Sequence, residues 1–197
     1  MDSRRIRDRR LMSTNISSVR WGALMALMVL TGCAAIVGEE EPGERTRGTR
    51  IDDDLIETRA RSNIKHADPD LKRANIEVAS FNGIVLLTGQ VPNEKLRALA
   101  AEATQSLSKV RKIHNEITIA GRMTFFARQN DVFLSAKVGM KMMANDDVDA
   151  SHVSVVTENG VVYLMGMVTR EEGDSATNVA QSVAGVQKIV KVFEYMD

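Results

Sequence analysis

The stretch Asn82-Gly83-Ile84-Val85-Leu86-Leu87-Thr88-Gly89-Gln90-Val91 occurs a second time, as Asn159-Gly160-Val161-Val162-Tyr163-Leu164-Met165-Gly166-Met167-Val168. Asn-Gly between apolar, β-branched runs predicts a hairpin with a type I′ turn, because both central residues of that turn need positive φ. A second glycine follows six residues after the first in each copy. Alternate strand residues share a face, so Val85, Leu87, Gly89 and Val91 line one side, as do Val162, Leu164, Gly166 and Val168. A glycine in such a row admits another backbone at close range, and a helix crossing the sheet is the expected visitor. Two copies of one device, 77 residues apart, predict two copies of one small domain.

A chain of 197 residues has room for one or two such domains. Formal charge balances overall, but residues 1–32 hold six basic and two acidic residues, leaving 20 basic against 24 acidic in the rest, a net charge of about −4. That balance gives no support to nucleic-acid binding, which favours a basic surface. A single cysteine excludes an internal disulfide.

Arg4, Arg5, Arg7, Arg9, Arg10 and Arg20 precede an apolar run at residues 21–30. This is the charge and hydropathy pattern of a signal peptide, and the run is shorter than the roughly 20 residues of a transmembrane helix. Leu30-Thr31-Gly32-Cys33 follows and resembles the lipobox of bacterial lipoproteins, with Cys33 as the lipidated (palmitate-bearing) new N-terminus. The alternative is a lone buried cysteine. The long basic region also leaves open whether translation starts at Met1 or Met12. The lipoprotein resemblance implies a sorting rule at the next residue. Ala34 is not a retention aspartate, so the implied destination is the outer membrane. Residues 34–50 are small, polar and charged, with too little apolar surface to fold. They read as a tether, extending up to roughly 55 Å at ~3.3 Å per residue.

The two repeats run helix, strand, strand, helix, strand. In the first, at about residues 51–120, Asp52, Asp53 and Asp54 suit a helix start. Ile56, Ala60 and Ile64 form a stripe at spacing four, and Pro69 ends that helix. Ile76 and Val78 alternate with polar residues into the Asn82-Gly83 turn. An alanine- and leucine-rich helix follows, and Ile113, Asn115, Ile117 and Ile119 alternate as a last strand. In the second repeat, at 128–197, Leu134, Val138 and Met142 keep the spacing of four. Val153 and Val155 lead into Asn159-Gly160, a helix spans about 170–184, and Val192, Phe193 and Tyr195 close the sheet. The linker, 121–127, contains Phe125 and Phe126, which points to domains that touch rather than swing freely.

This order, with the Asn-Gly hairpin, the glycine six residues on, and an alanine-rich helix ending in Gly185-Val186, resembles the BON domain. In the first repeat Lys109-Val110 replaces the usual Gly-Val. Two such repeats behind a lipobox, over about residues 20–197, resemble the dual BON-domain outer-membrane lipoproteins. The resemblance implies an α+β fold of two tandem BON domains, each αββαβ with two helices on a three-stranded mixed sheet. It implies a periplasm-facing protein that binds anionic phospholipid, phosphatidylglycerol in particular. It further implies support of outer-membrane integrity, localisation at cell-division sites and a link to the β-barrel assembly machinery. In that family the lipid surface is the first helix of the second domain, here about residues 130–143.

Read on its own residues, that helix gives a related picture. With Leu134, Val138 and Met142 facing the sheet, 100° per residue sets Phe133, Lys137, Met140 and Ala144 on an adjoining exposed stripe. Met143 falls nearer the opposite side and Lys141 at the edge, while Arg128, Lys137 and Lys141 supply positive charge. Buried and exposed apolar rows flanked by lysines are what interfacial membrane contact requires. Asp131, Asp146, Asp147 and Asp149 oppose it by charge, and packing of Phe133 and Met140 on the first domain is the competing reading.

No enzyme is expected. His66, His114 and His152 sit in separate elements without metal-ligand spacing and read as surface or strand residues. Ser151-His152 lies outside any nucleophile turn, and the acidic residues at 146–149 lack the glycine and glutamate of a calcium loop. No cofactor and no small-molecule substrate are implied. Three functions remain open: an anionic-phospholipid module, an adaptor docking the same helix on an outer-membrane assembly partner, and a periplasmic spacer.

Overall fold

The computed structural model describes residues 43–121 and 125–196. The signal region, Cys33 and residues 34–42 of the tether lie outside them. Chain order is α1 (Arg47–Ala67), α2 (Pro69–Arg73), β1 (Asn75–Phe81), β2 (Ile84–Val91), α3 (Glu94–Gln105), β3 (Lys112–Asn115) and β4 (Thr118–Ile119). The second half repeats it as α4 (Phe125–Met143), β5 (Val153–Glu158), β6 (Val161–Val168), α5 (Arg170–Gln181) and β7 (Lys188–Tyr195). In each half the hairpin is antiparallel, and the strand after the second helix returns parallel to the central strand, in the orders β1-β2-β3 and β5-β6-β7. The result is α+β, two main helices over a mixed sheet in each half, with the short α2 added in the first. The last strand of the first half is broken: Ile117 turns inward between β3 and β4, and the short β4 pairs separately with β2.

Both hairpins turn as the Asn-Gly pairs require, with φ of 51° and 73° at Asn82 and Gly83 and 50° and 74° at Asn159 and Gly160. What fixes each turn to the body of its domain is a buried carboxylate. Asp53 Oδ1 accepts from the Gly83 amide (2.9 Å) and the Ser80 hydroxyl (2.7 Å), and Oδ2 accepts from the Asn82 amide (2.9 Å). Asp131 repeats this on Asn159 (2.7 Å) and Gly160 (2.9 Å). Asp53 is therefore not part of a helix start. Helix α1 begins at Arg47, capped by the Thr46 hydroxyl, because Asp53 must lie two turns in to reach the hairpin. The tether is correspondingly shorter than read from composition, since α1 takes up residues 47–50 and Arg45 pairs with Asp53 at 2.9 Å. The linker shortens too, because α4 already begins at Phe125.

The strand glycines also serve a different neighbour from the one expected. A Cβ at Gly89 would lie 2.1 Å from the Asn75 carbonyl oxygen, and one at Gly166 would lie 2.3 Å from that of His152. The close approach is made by the chain entering the adjacent strand, not by a crossing helix.

Each domain has a helix–sheet core: Ile56, Ala60 and Ile64 on Val85, Leu87 and Val91, and Leu134, Val138 and Met142 on Val162 and Leu164. A third core joins the domains, where Phe81, Ile84 and Leu86 pack against Tyr163, Met165 and Val192. The two sheets thus lie back to back, which explains why β2 is buried along its whole length, Thr88 and Gln90 included. The domains touch as expected, but through these sheet faces. Burying a large aliphatic or aromatic side chain contributes about 1.5–3 kcal/mol. A half-exposed ion pair such as Arg111–Glu194 (2.5 Å), at the rim, contributes about 0–1 kcal/mol. The apolar faces therefore hold the domains together, and the rim pair, with Asn82 Nδ2 donating to Glu194 at 2.7 Å, sets their register.

Two outcomes follow. Asp53→Ala and Asp131→Ala each leave buried amides without an acceptor and should lower the unfolding free energy by about 2–4 kcal/mol in urea titrations; a loss under about 0.5 kcal/mol would refute the role given to the carboxylates. Second, the hydrogen bond from Arg111, aided by Asn82, holds the Glu194 carboxyl below its ordinary value of 4.5. Its contribution is complete above that value and disappears as pH falls through the lower folded value. Glu158 moves the other way, raised first by burial, so the comparison must be with a variant. Stability of wild type should fall more steeply than that of Glu194→Gln below about pH 4.5; parallel curves would contradict the assignment.

Candidate membrane-facing site

Helix α4 is apolar on nearly every side. Its inward row is Asp131, Leu134, Val138 and Met142, all buried. Its outward row is also largely apolar: Phe126 is 83% exposed, Val132 59%, Phe133 63%, Met140 58% and Met143 70%. At 100° per residue these five fall within one sector opposite the buried row. The structure brings Phe133, Lys137 and Met140 together on this face, with Met143 beside Met140. Lys137 is exposed, and Lys141 sits at the edge, its ammonium 3.3 Å from the Ser182 carbonyl at the end of α5. Arg128 stands apart from Phe133 and Met140: it lines a groove with Glu77 and Glu158 that reaches the apolar row at Val132.

The same positions in α1, 78 residues earlier, read Asp54, Leu55, Thr58, Arg59, Ser62 and Lys65 where α4 has Val132, Phe133, Ala136, Lys137, Met140 and Met143. One fold element, used twice, carries a mostly polar outer face once, with Leu55 its exposed apolar member, and a mostly apolar one once. Nothing in the folding of the domain requires the difference, since the inward rows match.

Asp131 does not oppose an anionic surface as its sequence position implies, because it is buried and committed to the hairpin. Asp146 and Asp147 remain exposed, past the end of the helix. Val132 was not singled out in the sequence, and Phe126 was read there as a linker aromatic between touching domains, whereas it lies 83% exposed on α4, where Phe126, Phe133 and Met140 recur at intervals of seven, two helical turns apart.

His152 is not a surface residue. It is buried, with Nδ1 3.1 Å from Glu172 Oε1 and Nε2 3.7 Å from Asp149 Oδ2. The incoming chain lies on it, since a Cβ at Gly43 would come within 2.8 Å of the ring. His114 lies in β3, and burial, then Lys112, lowers its pKa. Among the described residues, no group of three His, Cys, Asp or Glu is placed to hold a metal, and no helix is long and apolar enough to cross a membrane.

Comparison with known proteins accords with this architecture. The BON domain family profile matches residues 52–121 and 130–197. The chain is 35% identical over 182 residues to the outer membrane lipoprotein DolP of Haemophilus influenzae, covering 88% of this chain and 94% of that protein. It is 35% identical over 153 residues to a 21 kDa hemolysin of Actinobacillus pleuropneumoniae, covering 77% of this chain and 78% of that one. With two matched domains and near full-length similarity, the chain belongs to the BON-domain family, as a DolP-like dual-BON lipoprotein of the outer membrane.

Proposed function

We propose that this protein is a lipid-anchored, periplasm-facing module that binds anionic phospholipid, phosphatidylglycerol in particular, through the outer face of α4. In this reading it supports outer-membrane integrity and localisation to division sites. The observation that carries the reading is the exposed apolar row Phe133, Met140 and Met143 beside Lys137, on a helix whose counterpart in the first domain has only Leu55 apolar there, with Ser62 and Lys65 in place of the methionines. Interfacial binding draws on buried apolar area together with attraction to anionic headgroups. A basic residue near such a surface contributes about 1 kcal/mol. Lys137 and Lys141 give modest affinity, so the contact acts beside the acyl chains on Cys33 and not in place of them. Attachment is then at two points, with no bond made or broken and no catalytic role for any residue.

The test uses the unlipidated region, residues 40–197, and vesicles of phosphatidylglycerol or phosphatidylcholine. Sedimentation should show binding to the anionic vesicles alone, weakening with added salt. Lys137→Glu should reduce affinity about tenfold or more, as charge reversal removes one attraction and adds one repulsion. Phe133→Ala should reduce it by a similar factor, whereas Arg59→Glu, the same position in α1, should have no effect. Equal binding to both lipids, or none, would reject the proposal. Loss of a protein contact in Phe133→Ala that is insensitive to salt and to Lys137→Glu would favour an adaptor for an outer-membrane assembly partner such as the β-barrel assembly machinery.

A further inference from the structure

The two domains differ at a second place, the outer edge of the hairpin. Strands β1 and β5 are both edge strands. In a two-residue hairpin the residues flanking the loop form a hydrogen-bonded pair, so alternate residues from there turn their backbone groups outward. In β1 these are Ser80, Val78 and Ile76, and side chains of the N-terminal segment and α1 occupy the groups of Ser80 and the Val78 carbonyl. The Ser80 amide donates to Glu57 (3.0 Å), the Val78 carbonyl accepts from Arg61 (2.6 Å), and the Ser80 carbonyl accepts from Arg45 (3.4 Å). The edge is closed by its own domain, a common protection against strand addition.

In β5 the corresponding residues are Thr157, Val155 and Val153. The residues of α4 that stand where Glu57 and Arg61 stand in α1 are Ser135 and Gly139. Ser135 reaches only the Thr157 hydroxyl, at 2.8 Å. A Cβ at Gly139 would meet nothing within 4 Å. The outward amides and carbonyls of Thr157 and Val155 have no partner among the described residues, and they border a groove of about 470 Å³. Glu158 and Glu77 line one wall, Ser135 and Val132 the other, and Arg128 lies in the same groove. Burial first, then the charges of Asp131 and Glu77, raise the Glu158 pKa against the Gln90 hydrogen bond and the charge of Arg128; the shift stays upward with Arg128 in place, so a further cation is a favoured neighbour there.

We infer that the open edge of β5 takes up an extended segment of a partner protein as an added strand, with basic side chains on its Glu158 face and apolar ones towards α4. A row of alternating backbone donors and acceptors is matched by another extended backbone, and the two glutamates select the charge of its side chains. This groove meets the outer face of α4 at Val132, but does not include Phe133, Lys137, Met140 or Met143.

The probe is a capped hexapeptide of alternating lysine and valine, with a glutamate–valine peptide as control. It is added to the full mature lipoprotein in phosphatidylcholine nanodiscs, and hydrogen exchange of residues 153–158 is followed by mass spectrometry. The lysine peptide alone should slow exchange at Val155 and Thr157 by about tenfold or more. Gly139→Arg and Ser135→Glu, which restore the side chains that close β1, should each abolish the slowing while leaving binding to phosphatidylglycerol vesicles intact. If Gly139→Arg fails to fold, Ser135→Glu decides. No slowing with either peptide, or slowing that survives a folded plugging variant, would overturn the inference. Slow exchange without peptide that rises with protein concentration would overturn it too, by showing a second copy on the edge.

Discussion

Each domain depends on one carboxylate. A type I′ turn projects two backbone amides beyond the sheet, and in a buried hairpin those amides must find an acceptor. Asp53 and Asp131 provide it from the middle of a helix, two oxygens for two amides, which ties the rotation of the helix to the register of the strands. Once that contact is made, the stripes Ile56, Ala60, Ile64 and Leu134, Val138, Met142 can face only the inner row of β2 or β6. The parallel return strand completes the layer in both halves.

Much of this was legible in the residues. The repeated Asn-Gly stretch, the spacing-four stripes and the alanine-rich second helix were enough for two αββαβ units, because turn chemistry and periodicity are local. The role of Asp53 was not, since three consecutive aspartates look like a helix start and the hairpin they serve lies some thirty residues downstream. Nor was the back-to-back packing of the sheets. Its signal was present in the unbroken apolar run of β2, where a half-exposed strand would alternate. The candidate site was half visible: periodicity placed Phe133, Lys137 and Met140 on one stripe, while Phe126 and Val132 were hidden by an α4 that starts earlier than its polar residues imply. His152 could not be placed, because its burial comes from Gly43 and Glu172, both remote in sequence.

Duplication explains why the two halves can be read against each other. Both conserve between themselves the turn, the carboxylate, the close-approach glycine and the inner stripe, which are the parts that folding demands. They part at the outer face of the first helix and at the edge of the first strand. In the first domain the strand edge is finished by the charged Glu57 and Arg61, and the outer face carries Leu55 and Ser62 among charged residues. In the second the same positions carry Ser135 and Gly139 at the edge and Phe133 and Met140 on the face.

The seat of Gly43 on His152 has a geometric consequence. The chain joins the folded body at the second domain, the one that carries α4, and not where the first helix begins. Residues 34–42 lie between that seat and Cys33, and nine residues reach at most about 30 Å at full extension. Were Cys33 the anchored position, that reach would hold α4 within a half-sphere where its local concentration is on the order of tens of millimolar.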